Sequence, residues 1–174
     1  MIRFIEHNSD SYAPRTIENA RNSDLTIAFA ENFNTRGEEL TKKWAKKYRC
    51  VSLLDFSLDP ERIKRLSFSI GNDIKSINIA GNGIYSLSQS QSHYDGFISD
   101  MLTDLFYMCG CEWASVISGG QTGIDESGLK WGSKFGLDTF CLAPKGWKFR
   151  GKDGKDVSDK EKFLSRFNGH EIVF

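Results

Sequence analysis

At 174 residues the chain fits one domain of ordinary size, long enough to bury a core without metal or disulfide staples. Its 23 Lys and Arg equal its 23 Asp and Glu, which argues against duplex nucleic acid and against a charge-driven partner, so any nucleotide ligand is expected to be small. No apolar run approaches the roughly 20 residues of a membrane span, and the opening residues are too soon charged for a signal peptide, so the expected location is cytoplasmic.

Residues 2–5 read as a short strand, expected to pair with the equally short 171–174. Residues 11–20 suit a brief helix with Pro14 in its first turn, where a missing N–H does no harm, and Arg15 and Asn19 share a face. Residues 24–30 have the continuous apolar character of a strand covered on both faces, and a polar loop, 31–37, follows. The spacing of Leu40, Trp44 and Tyr48 predicts a helix over 38–48, opened by acids and closed by lysines that complement its dipole. A second buried strand, 50–54, precedes a helix opened by Asp59-Pro60-Glu61. The polar interval 67–75 is the best candidate for a seam. A third strand over 77–83 ends in glycines, a Ser/Gln-rich loop covers 86–92, and a long amphipathic helix spans 94–109 with Phe97, Ile98, Met101, Leu102, Leu105 and Phe106 inward.

The chain is organised around residues 115–126, where an apolar run ends in Gly119-Gly120 and passes into a segment with Ile124, Gly128, Trp131, Gly132 and Phe135 at helical spacing. Such a strand, tight turn and helix leave N–H groups facing outward, which suits phosphate or ribose; an ordinary strand-to-helix turn reads the same way. It is neither a Walker loop nor the dinucleotide fingerprint, because the Gly-Lys-Ser/Thr ending and the third glycine are missing. A fifth strand, 139–143, leads into the basic, aromatic 144–152, which suits either phosphate binding with base stacking or an exposed loop. The fold class is therefore α/β, with about five mostly parallel strands covered on both faces and ligands expected at their carboxyl ends. Cys50, Cys109, Cys111 and Cys141 lie in or beside apolar runs without zinc or thioredoxin-like spacing, so buried free thiols are expected. His7, His93 and His170 fit no metal-ligand spacing, so no metal is expected.

Ser118-Gly119-Gly120-Gln121-Thr122-Gly123-Ile124-Asp125 resembles the signature of the molybdenum-carrier-like family in the SLOG superfamily of Rossmann-like nucleotide binders. In that family a Pro-Lys-Gly segment follows on the next strand, as Pro144-Lys145-Gly146 does here. A Tyr-x-x-Arg-Thr-x-x-Asn element comes later in the family and is matched by Tyr12, Arg15, Thr16 and Asn19, with Ser23 and Asp24 after them. The order is reversed. Residues 1–66 match the family's C-terminal part and 76–160 its N-terminal part, so the resemblance implies a circularly permuted single domain over 1–174 with a Rossmann-like three-layer α/β/α fold. More distantly the chain is similar to the cytokinin-activating phosphoribohydrolases, which carry Pro-Gly-Gly-x-Gly-Thr-x-x-Glu. That layout implies catalytic roles for Arg15 and Glu39, although Asn32-Phe33-Asn34 replaces the Pro-Gly-Gly, and Glu126 stands where the carrier-like family usually has arginine.

Together these readings nominate Arg15, Thr16, Asn19, Gly37, Gly81, Asn82, Gly119, Gly120, Gln121, Thr122, Gly123, Asp125, Lys145 and Gly146 for ligand binding. A base-releasing reaction needs a carboxylate near the anomeric carbon, from Glu39, Glu126 or Asp125, and a phosphate holder, from Arg15, Lys145 or Arg36. The leading expectation is binding, by sensing or sequestering, of a nucleotide or nucleotide-derived small molecule with no required cofactor. N-glycosidic hydrolysis, a molybdenum-cofactor carrier and a structural oligomer subunit are the alternatives. The superfamily resemblance implies homo-oligomers through the helices flanking the sheet, but no isolated apolar helix face marks an interface.

Overall fold

The computed structural model describes residues 1–54, 59–71 and 73–174. Strands β1 (Ile2–Glu6), β2 (Leu25–Ala30), β3 (Tyr48–Ser52), β4 (Ser76–Gly81), β5 (Ser115–Ser118), β6 (Asp138–Ala143) and, at the end of the chain, Ile172–Val173 form one seven-stranded sheet. Helices α1 (Tyr12–Asn22), α2 (Arg36–Trp44), α3 (Pro60–Phe68), α4 (Gln91–Cys109) and α5 (Ile124–Lys134) connect them. The strand order is β3-β2-β4-β5-β6-β1 followed by the terminal strand, and every pairing in this sheet is parallel. The fold is thus Rossmann-like α/β, as the sequence led us to expect, with the two terminal strands added to the five others. These two pair as expected, Ile2 beside Ile172 and Arg3 beside Val173.

The side chains of β2 explain the layers. Leu25, Ile27 and Phe29 join the main core with Ile77, Ile79, Val116 and the inward faces of α3, α4 and α5. Thr26, Ala28 and Ala30 alternate with them and point to the opposite face. There they meet Asn78 and Ala80 of β4, also small or polar, across the register Thr26–Asn78 and Ala28–Ala80. Helices α1 and α2 pack together over this face, but its short side chains do not fill the space beneath them. Ile70 and Ile74, inside the interval read as a seam, are buried in the main core.

Several boundaries differ from the sequence reading. The helix expected over 38–48 begins at Arg36 and ends at Trp44, because the Ala45 N–H closes onto the Thr41 carbonyl and the chain then extends. Tyr48 therefore lies in β3, in register with Thr26 of β2, instead of completing the helix face, and the strand expected over 50–54 lies over 48–52. The thiols are buried as expected only at Cys111 and Cys141: Cys50 is exposed on the edge strand β3, and Cys109, at the end of α4, is half-buried; all four are free. The expected loop after β6 is structured. A single turn at Lys145–Trp147 leads into an antiparallel hairpin of β7 (Lys148–Arg150) and β8 (Asp156–Ser158), then α6 (Lys160–Ser165). The final strand of the sheet, Ile172–Val173, is β9. Trp147 is core and not a stacking platform: its ring lies 5.4 Å from Phe163 and 6.1 Å from Phe4.

Candidate functional site

In the sheet, β2 leads outward through α2 to β3, whereas β4 leads the other way through α4 to β5, so the chain diverges at the carboxyl ends of β2 and β4. Ligands of open parallel sheets bind at such a switch point. A cleft of about 610 Å³ opens there and runs beneath α1 and α2 onto Asn78 and Ala80. Volumes of this order suit a small-molecule ligand.

Three charged side chains from three helices meet at its inner end. Arg15 of α1 is 3% exposed; its Nη1 donates to the Gly119 carbonyl and stands 3.9 Å from Asp125 Oδ2. Asp125, in the first turn of α5, accepts from the Gln121 N–H at 3.4 Å. Burial pushes its carboxyl above the ordinary range while Arg15 pulls it down. Glu38, in the first turn of α2, is 4% exposed. Burial, and then the charge of Asp125, push it up to about 7, against a 3.4 Å hydrogen bond from Asn82. Among the described residues Glu38 Oε2 and Arg15 Nε are buried without hydrogen-bond partners.

The sequence-nominated residues divide sharply. Arg15, Thr16, Asn19, Gly37, Gly81, Asn82, Gly119, Gln121 and Asp125 line the cleft. A Cβ at Gly37 would meet nothing within 4 Å, so this corner is open, whereas a Cβ at Gly119 would overlap Arg15 Nη1. Asn82 is a brace: its Oδ1 accepts from the Glu31 and Asn32 N–H groups at 3.0 Å each, and its Nδ2 donates to the Asn32 carbonyl and to Glu38.

Gly120, Thr122 and Gly123 lie behind the cleft wall. The Gly120 carbonyl accepts from Arg166, the Thr122 hydroxyl donates to the Arg150 carbonyl, and the Gly123 N–H donates to Gln91 Oε1 at 2.7 Å. The Ile124 N–H likewise meets the Asn82 carbonyl. The outward-facing anion corner expected at this helix start is therefore occupied by the protein's own acceptors. Lys145 and Gly146 are exposed beside β1, where the Gly146 N–H donates to Glu6, and neither reaches the cleft. Glu126 is held by Lys130 at 2.6 Å and Arg166 at 2.8 Å, also outside it.

Glu39 does not line the cleft. It is exposed on the outside of α2, and the carboxyl in the cleft belongs to Glu38. The sequence held a signal for this: counting Thr-x-x-Glu from Thr35, whose hydroxyl caps α2 through the Glu38 N–H, ends on Glu38. Asn78, Ala80, Thr41, Tyr85 and Arg150 also line the cleft and were not singled out. At the mouth Arg150 stands over the rings of Tyr12 and Tyr85, at 5.5 and 5.1 Å.

In comparison with known proteins, no family model matches the chain and no curated protein is significantly similar to it.

Proposed function

We propose that this protein binds a nucleotide or nucleotide-derived small molecule in the cleft between α1, α2 and the carboxyl ends of β2 and β4. The observation that carries this reading is the pair of unpartnered buried polar atoms, Arg15 Nε and Glu38 Oε2, in a ligand-sized cleft at the switch point of a parallel sheet. The resemblance of the Arg15 and Gly119 elements to SLOG-type nucleotide binders supports it, since both meet at this cleft.

A second reading, N-glycosidic hydrolysis, is favoured by one specific feature: a buried carboxyl at Glu38 held near neutral pH, where a group can accept a proton and return it. In this reaction water attacks the anomeric carbon, the carbon–nitrogen bond breaks with its electron pair passing to the base, and the ionised Glu38 takes the proton of the attacking water. Asp125, paired with Arg15, would stabilise the oxocarbenium-like charge.

The two readings separate in one experiment. The purified protein is incubated with nucleoside monophosphates, NAD-derived and cyclic nucleotides and the molybdenum pterin, then filtered, and both fractions are analysed by mass spectrometry. An intact ligand retained with the protein supports binding, and its identity decides between a nucleotide and the pterin of a carrier. A free base in the filtrate, absent with Glu38→Gln, makes the protein a hydrolase. No retention and no base release would overturn both.

A further inference from the structure

The two ends of the cleft differ in charge and in what they leave unpaired, and this difference gives the ligand a direction. At the inner end the positive charge of Arg15 is already met by Asp125 at 3.9 Å, and one of its N–H groups by the Gly119 carbonyl. Glu38 adds a second carboxyl there and has no ion-pair partner among the described residues. The polar atoms left over are a donor, Arg15 Nε, and an oxygen, Glu38 Oε2. The cleft floor beside them is neutral, formed by Asn78, Ala80 and Gly81. At the mouth the balance reverses. Arg36 is exposed there without an ion-pair partner among the described residues, and Arg150, held by Asp156 at 2.8 Å, lies over Tyr12 and Tyr85.

Resting on the binding reading above, we propose that the ligand enters with a neutral, hydrogen-bonding edge first. The inner end takes the edge of a nucleobase, or the equivalent carboxamide, in which an acceptor sits beside an N–H donor. Arg15 and Glu38, which both line the cleft, offer that edge a donor and a carboxyl oxygen. A phosphate carries more than one negative charge near neutral pH. Placed at this end it would face two carboxyls with a single, already paired cation; at the mouth it meets Arg36 and Arg150. A site that hydrogen-bonds a polar edge discriminates strongly against an analogue that lacks it, because its own buried groups are then left unpaired.

The test is equilibrium titration of the purified protein with adenosine, guanosine, cytidine and uridine, their 5′-monophosphates, ribose 5-phosphate and inorganic pyrophosphate. At least one nucleoside is expected to bind without any phosphate, with an affinity unchanged by raising salt. Methylation of the polar edge of that base should weaken binding about tenfold or more, a loss that needs no protein variant and so does not depend on folding. Adding the 5′-phosphate should tighten binding in a salt-sensitive way that Arg36→Glu removes. Binding of ribose 5-phosphate or pyrophosphate as tight as that of the whole nucleotide, strengthened by Glu38→Gln, would show a phosphate at the inner end and overturn this orientation while leaving nucleotide binding standing. Indifference to base-edge methylation would overturn it equally, and failure of every probe to bind would overturn the binding reading itself.

Discussion

Glu38 is the residue on which most of the site chemistry turns, and its raised pKa carries a stability consequence. A carboxyl lifted in the folded state from 4.5 to about 7 favours folding fully below its unfolded value and loses that contribution as pH rises through the folded one. The groups acting on it are Asp125 and Asn82, while Tyr48, whose own phenol is pushed up partly by Glu38, borders it from β3. The ligand-free protein should therefore lose about 3 kcal/mol between pH 4.5 and 8 from this group. Denaturant unfolding across that range should reveal the loss, and Glu38→Gln should flatten it; an equal slope in the variant would place the pH dependence elsewhere. A second expectation concerns Gly119, where an added Cβ would overlap Arg15 Nη1 and crowd Asp125 Oδ2. Gly119→Ala should cost about 2 kcal/mol or more of stability by displacing the buried arginine, measured as a lowered unfolding midpoint. The place of Arg15 in the cleft was legible from its Tyr-x-x-Arg-Thr-x-x-Asn element. Glu38 was marked only by its spacing from Thr35, because two adjacent glutamates at a helix start otherwise differ only in which face of the helix they occupy, and that face depends on where the helix begins.

At the scale of elements, the start of α5 shows how a motif can keep its shape and lose its vacancy. The glycine turn and the helix after it were readable from Gly119-Gly120 and the spacing of Ile124, Gly128 and Trp131. Unreadable was that Gln91, at the start of α4 and 32 residues earlier in the chain, places its side chain on the Gly123 N–H while its Nε2 donates to the Gly123 carbonyl and to Ser127. Gln91→Ala should strip that cap and lower stability by about 1 to 2 kcal/mol, with ligand retention unchanged since Gln91 does not line the cleft; weakened retention at equal stability would mean that the glycine corner itself contacts ligand. The strands and α4 were legible because their apolar periods run for several residues. The hairpin of β7 and β8 was not, since three-residue strands are too short to display alternation, and the pairing is held from outside by Gln121, which bonds the Lys148 carbonyl and the Arg150 N–H.

For the whole molecule, the parallel order was legible from strands alternating with helices, and the cleft follows from a feature of two neighbouring strands taken together. Neither Ala28 nor Ala80 is unusual alone. Side by side in register, beneath two helices that pack on each other, they leave a space that larger side chains would fill. The terminal pairing has its own consequence: the Phe174 ring lies 6.4 Å from Phe4 and 5.9 Å from Trp147. Removing residues 171–174 should uncover this cluster and lower the thermal midpoint by several degrees, while leaving the distant cleft and any ligand retention intact. The central claim is that the space above Ala80 holds the ligand, and it is tested most directly by titrating the retained nucleoside or nucleotide into wild-type protein and Ala80→Leu, whose added side chain enters the cleft floor without removing a polar group. We predict binding by the wild type and a loss of about tenfold or more in the variant at an unchanged unfolding midpoint; equal affinity for both proteins would contradict the account.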